Sequence, residues 1–184
     1  MTQIPKLVDL VVEDPRWEEA GLAQWSETAA KATLMGLALP PEGFSISLLG
    51  CDDGRITALN DTFRRQASAT NVLSWPSEER RTKAPGVAPE TPMPGQPGLP
   101  LELGDIALAF DTCAREATSG GIPLSDHGCH LVIHGVLHLI GYDHETDQDA
   151  ALMESLETRI LRGLGIADPY ARGIGAIAME HGNG

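Results

Sequence analysis

Wound into a helix, residues 126–140 are apolar over most of their circumference, with Leu131, Val132, Ile133, Val136, Leu137, Leu139 and Ile140 spread around the axis. A helix of that kind is buried, so the rest of the chain has to pack around it. The same segment carries His130, His134 and His138, and polar groups in a core are costly unless they are bonded or used. His134 and His138 stand at i and i+4. Their rings leave one helical face, a turn plus about 40° apart, and can bind a common ion. Gly141 follows the helix, and a glycine there can turn the chain back through the left-handed region. That reversal carries His144 toward the same point. Five of the six histidines fall between His127 and His144, which is tight clustering for a chain of 184 residues. The segment therefore predicts a metal site formed by His134, His138 and His144 with a coordination position left open. Three protein ligands plus water is the arrangement of catalytic zinc, whereas structural zinc is usually closed by four.

One zinc ion per chain is the default expectation, although copper, nickel and iron accept the same imidazole donors. Metal-bound imidazoles need partners on their far nitrogens, and Asp143 and Asp105 are the candidates. His130 is read as a neighbour of the site or as core, not as a ligand. Cys129 is close enough in sequence to be considered, but a small buried thiol is its commoner role. His127 and His181 receive no functional reading.

The remaining pattern predicts a single α+β domain, a mixed sheet of about four strands with the metal helix packed on it. Strands are expected over residues 6–13, 44–51, 71–75 and 103–110. A helix opening at Asp14-Pro15 is expected to run to about Leu37. A shorter helix covers 56–65. Asp111 is expected to cap a short helix, Ser125 the metal helix, and Thr146 with Asp149 a last amphipathic one. Residues 77–100 contain six prolines and three glycines and predict a mobile surface loop. The domain is expected to span residues 1–166, followed by a loose Gly-rich tail at 167–184.

A net charge of −13 excludes nucleic-acid binding through a generally basic surface. Yet six of the thirteen basic residues, Arg55, Arg64, Arg65, Arg80, Arg81 and Lys83, lie between positions 55 and 83. Such a local patch is what an RNA groove needs. The three scattered cysteines, without a CxxC, argue for a reducing compartment and against a disulfide framework. The first residues lack a basic region and a long apolar run, so neither a signal peptide nor a membrane span is expected.

His-x3-His-x5-His with an intervening glycine is also the layout of the metzincin proteases, HExxHxxGxxH. Those enzymes place a glutamate base directly after the first histidine. Here Gly135 stands there, and glycine cannot move a proton.

Three segments resemble the YbeY-type endoribonucleases, or rRNA maturation factors. HGVLHLIGYDH (134–144) matches their hallmark, LNDTFRRQASATNVLSWP (59–76) a second motif, and LGDIAL (103–108) a third. The likeness covers roughly residues 44–166. Arg65 stands where glycine is common, Trp75 replaces a usual phenylalanine, and the Pro-rich loop is long. The resemblance implies a zinc-dependent, single-strand-specific endoribonuclease of the bacterial cytoplasm. It implies a role in 16S rRNA 3′-end maturation and late ribosome assembly and quality control. Single-stranded RNA and the small ribosomal subunit or its assembly proteins would be the partners. His134, His138 and His144 would be the ligands, and Arg64 the catalytic arginine. A guanidinium can clamp a phosphate through two hydrogen bonds and stabilise developing charge. Ser74 would lie near the site. Two other readings stay open: a metal-dependent hydrolase of another substrate, with Glu145 as the nearest acid to serve a peptidase, and a non-enzymatic ribosome-assembly module held together by metal.

Overall fold

The structure, a computed structural model, describes residues 5–64, 70–82 and 84–172, apart from the side chains of Arg64 and Arg172. Arg65, Lys83, His181 and most of the C-terminal tail lie outside the described residues.

Four strands form one sheet: β1 (Val8–Val12), β2 (Phe44–Cys51), β3 (Val72–Pro76) and β4 (Leu101–Ala109). Their spatial order is β1-β2-β4-β3. β1 and β4 both run parallel to β2, and β3 runs antiparallel to β4. The sheet is therefore mixed, as the sequence pattern predicts. Phe44, Ile46 and Leu48 alternate into the main core. β4 breaks strict alternation: Ser45 pairs with Glu102 and Ile46 with Gly104, leaving Leu103 as an extra residue. This bulge lets Leu103 and Ile106, of opposite parity, both enter the main core.

Among the described residues there are six α-helices: α1 (Arg16–Glu19), α2 (Leu22–Gly36), α3 (Asp53–Arg64), α4 (Phe110–Gly120), α5 (Leu124–Ile140) and α6 (Asp147–Gly163). α5 is the central helix; every residue from His127 to Ile140 is buried. It lies on the sheet beside α2, and α6 packs against both. α3 covers part of the other face, where Ile56 meets Cys51, Leu73, Ala107 and Ala109 in a smaller apolar cluster. Gly135 sets the fit of α5 on β4, since a Cβ there would come within 3.0 Å of Ile106 Cδ1.

Several expected boundaries shift. The long first helix is divided in two by Gly21, at φ +80°. Ser125 does not cap α5, which starts at Leu124 after Pro123. Asp111 lies inside the first turn of α4 and pairs with Arg16 at 2.8 Å. The predicted cap of α6 is present: Thr146 Oγ1 accepts a hydrogen bond from the Asp149 N–H at 3.1 Å. The Pro-rich loop is fastened rather than loose at several points. The Gly95 N–H donates to the Gly43 carbonyl at 2.8 Å, and the Gly86 N–H to Asp149 Oδ1 at 2.9 Å. The chain after α6 is also tied down as far as residue 172, with a 3-10 turn at Tyr170–Arg172.

Candidate metal centre

The last two turns of α5 carry His134 and His138, and the turn after them carries His144. Gly141 makes that turn. At φ +120° its N–H reaches the carbonyls of Leu137 and His138, both at 3.1 Å. A Cβ on it would lie 2.4 Å from the Arg80 carbonyl oxygen. Gly141→Ala is therefore expected to cost about 2–5 kcal/mol, combining backbone strain with overpacking. Urea denaturation measures this, and an unchanged midpoint would contradict the tight approach.

The turn also supplies a partner for the site. The Tyr142 carbonyl accepts from His138 Nδ1 at 2.9 Å. His134 Nδ1 donates to Glu157 Oε1 on α6 at 2.6 Å. A carbonyl can only accept, and a carboxylate accepts as well, so both imidazoles hold their proton on Nδ1. Their Nε2 atoms are left with bare lone pairs and face each other at 2.9 Å. Burial disfavours a proton between them. Burial depresses the pKa of His134 against the opposing charge of Glu157. Burial, reinforced by His134 and His144, holds His138 well below the ordinary histidine value. His144 Nε2 is the third member, a buried nitrogen with no hydrogen-bond partner. One nitrogen from each of the three histidines lies within 4.8 Å of the other two. A tetrahedral ion with Zn–N distances of about 2.0–2.1 Å separates its ligand atoms by about 3.3 Å. Converging lone pairs, no proton to share and an orphaned third nitrogen together fit a cation. The three histidines form a group able to hold a metal ion.

The partners on the far nitrogens differ from the predicted ones. Asp105 is exposed on β4 and pairs across the sheet with Trp75. Asp143 accepts the His144 backbone N–H at 2.7 Å and an Arg81 guanidinium N–H at 3.3 Å. Glu157 and the Tyr142 carbonyl take the expected roles. Burial would raise the Glu157 carboxyl, but His134 and His130 beside it hold it far below the usual carboxylate range. Its other oxygen accepts from the Tyr170 hydroxyl and lies 3.6 Å from His130 Nε2. His130 is thus a neighbour of the site, as expected. Tyr170 stays a neutral donor, because burial and then the Glu157 charge raise its pKa strongly. Cys129 is buried, its thiol pushed up to about 12 by burial and by Asp126.

His138 opens onto a cleft of about 480 Å³ lined also by Phe63, Ser74, Trp75, Arg80 and Arg81. Ser74 is buried opposite Ile106 in the β3–β4 ladder, on the α5 side. Of the expected basic patch, the three described side chains, Arg55, Arg80 and Arg81, are engaged. Arg55 pairs with Glu13 at 3.1 Å. Arg80 has a side chain only 8% exposed; it donates to the carbonyls of Leu139 at 3.0 Å and Leu103 at 3.3 Å, closing the end of α5. Arg81 bonds Glu79, Asp143 and Glu145 within 3.3 Å. Glu145 is exposed and tied to that arginine. The side chain of Arg64, at the end of α3, lies outside the described residues.

A model of the family described as Endoribonuclease YbeY matches residues 11–165. The Endoribonuclease YbeY of Cereibacter sphaeroides is 57% identical over 164 residues, covering 89% of this chain and 98% of its own. That of Ruegeria pomeroyi is 56% identical, covering 89% and 97%. That of Paracoccus denitrificans is 49% identical, covering 91% and 92%. The solution structure of TM1509 from Thermotoga maritima shares the fold, with a TM-score of 0.50 at 16% identity, covering 86% of this chain and 91% of that one.

Proposed function

This chain belongs to the YbeY endoribonuclease family, and from that membership we propose that it is a zinc-dependent hydrolase of single-stranded RNA, with one zinc ion per chain held by His134, His138 and His144. The observation that carries the metal part of the reading is the 2.9 Å approach of two imidazole nitrogens whose protons are already committed elsewhere. Bound there, zinc supplies Lewis acidity toward a phosphoryl oxygen and lowers the pKa of a water molecule.

The chain's own groups have separate tasks. Glu157 and the Tyr142 carbonyl orient two of the imidazoles and hold their protons at Nδ1. Arg64 clamps the scissile phosphate and balances charge as it develops. Arg81 offsets Asp143 and Glu145 beside the third ligand, so that the cleft wall does not repel a polyanion. The attacking oxygen comes from water or from the substrate 2′-hydroxyl. No carboxylate follows His134, and Glu145 is bonded to Arg81 at 3.2 Å; both facts disfavour peptide hydrolysis. By the family resemblance the substrate is rRNA, at the 16S 3′ end. The setting is late small-subunit assembly and quality control in the bacterial cytoplasm, with the small subunit or its assembly proteins as partners. Among the described residues no helix is long and apolar enough to cross a membrane.

The deciding experiment presents purified protein with single-stranded and duplex RNA, with and without chelator. Cleavage of the single strand alone, abolished by chelator, is the expected result. RNA binding without cleavage would favour the assembly-module reading, and peptide cleavage the other hydrolase reading. Arg64→Ala is expected to keep its zinc and lose about 10²–10³-fold in cleavage rate, the loss typical of removing one donor to developing charge. Unchanged cleavage would remove the phosphate role.

A further inference from the structure

Tyr170 lies beyond the last helix, in a segment that composition alone reads as loose tail. It is nevertheless brought back to the centre of the molecule. Gly165, at φ +75°, ends the α6 region. Asp168 Oδ1 then accepts the Tyr170 N–H at 2.9 Å and the Thr158 hydroxyl at 3.3 Å, pinning the returning chain to α6. The phenol reaches Glu157, which is 0% exposed, and donates to Oε2 while His134 Nδ1 donates to Oε1. The ring stands edge-on to His130, with centroids 5.5 Å apart and planes at 83°, and the hydroxyl lies 3.4 Å from His130 Nε2.

We infer that Tyr170 is a positioning residue for the metal centre, acting through Glu157 on His134. The inference rests on the zinc reading above. A buried carboxylate keeps its orientation only while both oxygens are satisfied. With the phenol in place, Oε1 is left to His134 alone. Without it, Oε2 has His130 as its remaining neighbour at 3.6 Å. The carboxylate then turns toward that ring and loosens its hold on His134. Partners of metal-bound histidines typically contribute 10–100-fold to metal affinity.

The test measures zinc affinity, by competition with a chromophoric chelator, in the wild-type protein, Tyr170→Phe, Glu157→Gln and the double variant. Tyr170→Phe keeps the ring against His130 and removes only the hydroxyl. It is expected to bind zinc about tenfold more weakly, with no further loss when added to Glu157→Gln. The His134 Nδ1–H proton resonance is expected to move upfield in Tyr170→Phe, already in the metal-free protein. An unchanged affinity and resonance would overturn the inference. So would a loss that adds in full in the double variant, since a residue that merely packs would act independently of Glu157. Wild-type protein that binds no zinc would overturn the zinc reading itself, and this inference with it.

Discussion

His138→Ala is expected to empty the metal site and to abolish RNA cleavage in the same step. His138 Nε2 is one half of the 2.9 Å pair that the proposed cation would bridge. Its Nδ1 is held by the Tyr142 carbonyl, so the ring is locked in place before any ion arrives. Its removal leaves two imidazoles on separate elements, α5 and the loop after it. Stabilising phosphoryl charge through a metal is worth several kcal/mol, so its loss lowers the rate by about a thousandfold or more. The fold should survive, because the side chain sits at the cleft and its loss also removes the lone-pair contact with His134. Elemental analysis, a cleavage assay and circular dichroism on the same preparation check the three parts. A folded variant with full metal content would end the ligand assignment. A metal-free variant that still cleaves would end the metal mechanism.

Glu157→Ala should damage the protein more broadly. The carboxylate accepts from His134 and from Tyr170 and lies beside His130, and Glu157 itself is fully buried. Deleting it strands the buried His134 donor, leaves the Tyr170 hydroxyl without this acceptor and opens a cavity. Leaving a buried donor unsatisfied costs about 1–3 kcal/mol, and zinc affinity should fall by a further 10–100-fold. Urea denaturation with and without zinc separates the two effects. Stability within about 0.5 kcal/mol of wild type, the range of ordinary surface changes, would show that Glu157 is not the support of this site.

The histidine triplet is legible in the sequence because helical geometry is fixed. Once residues 126–140 must be helix, His134 and His138 share a face whatever surrounds them, and Gly141 marks the reversal that returns His144. The mixed sheet follows from four short apolar runs, and the α6 cap from Thr146 and Asp149. Glu157 is not legible in the same way. It belongs to a different helix, and only the packing of α6 on α5 decides which residue of α6 meets Nδ1 of His134. Nearby acids such as Asp143 attract attention by proximity in the chain, yet chain proximity does not fix direction. A glutamate on the buried side of an otherwise amphipathic helix is the one sequence signal that marks it. Tyr170 is harder still, since its position depends on the turn set by Gly165 and Asp168. Arg80 shows the opposite error: a basic residue in an RNA-like cluster is spent on the carbonyls that end α5.

The close seat of Gly135 against Ile106 bears on how this architecture can evolve. By motif alone, one substitution separates this helix from a peptidase helix bearing a glutamate after the first histidine. By packing it is a longer path. A Cβ at position 135 already presses on Ile106, and a glutamate would start its side chain against the sheet instead of toward open solvent. Exchanging the two layouts would require Ile106 to shrink or the central helix to lift from β4, and either change disturbs the core that holds the three histidines. The missing base is thus built into the backbone spacing of the scaffold, and random point mutation would not readily restore it.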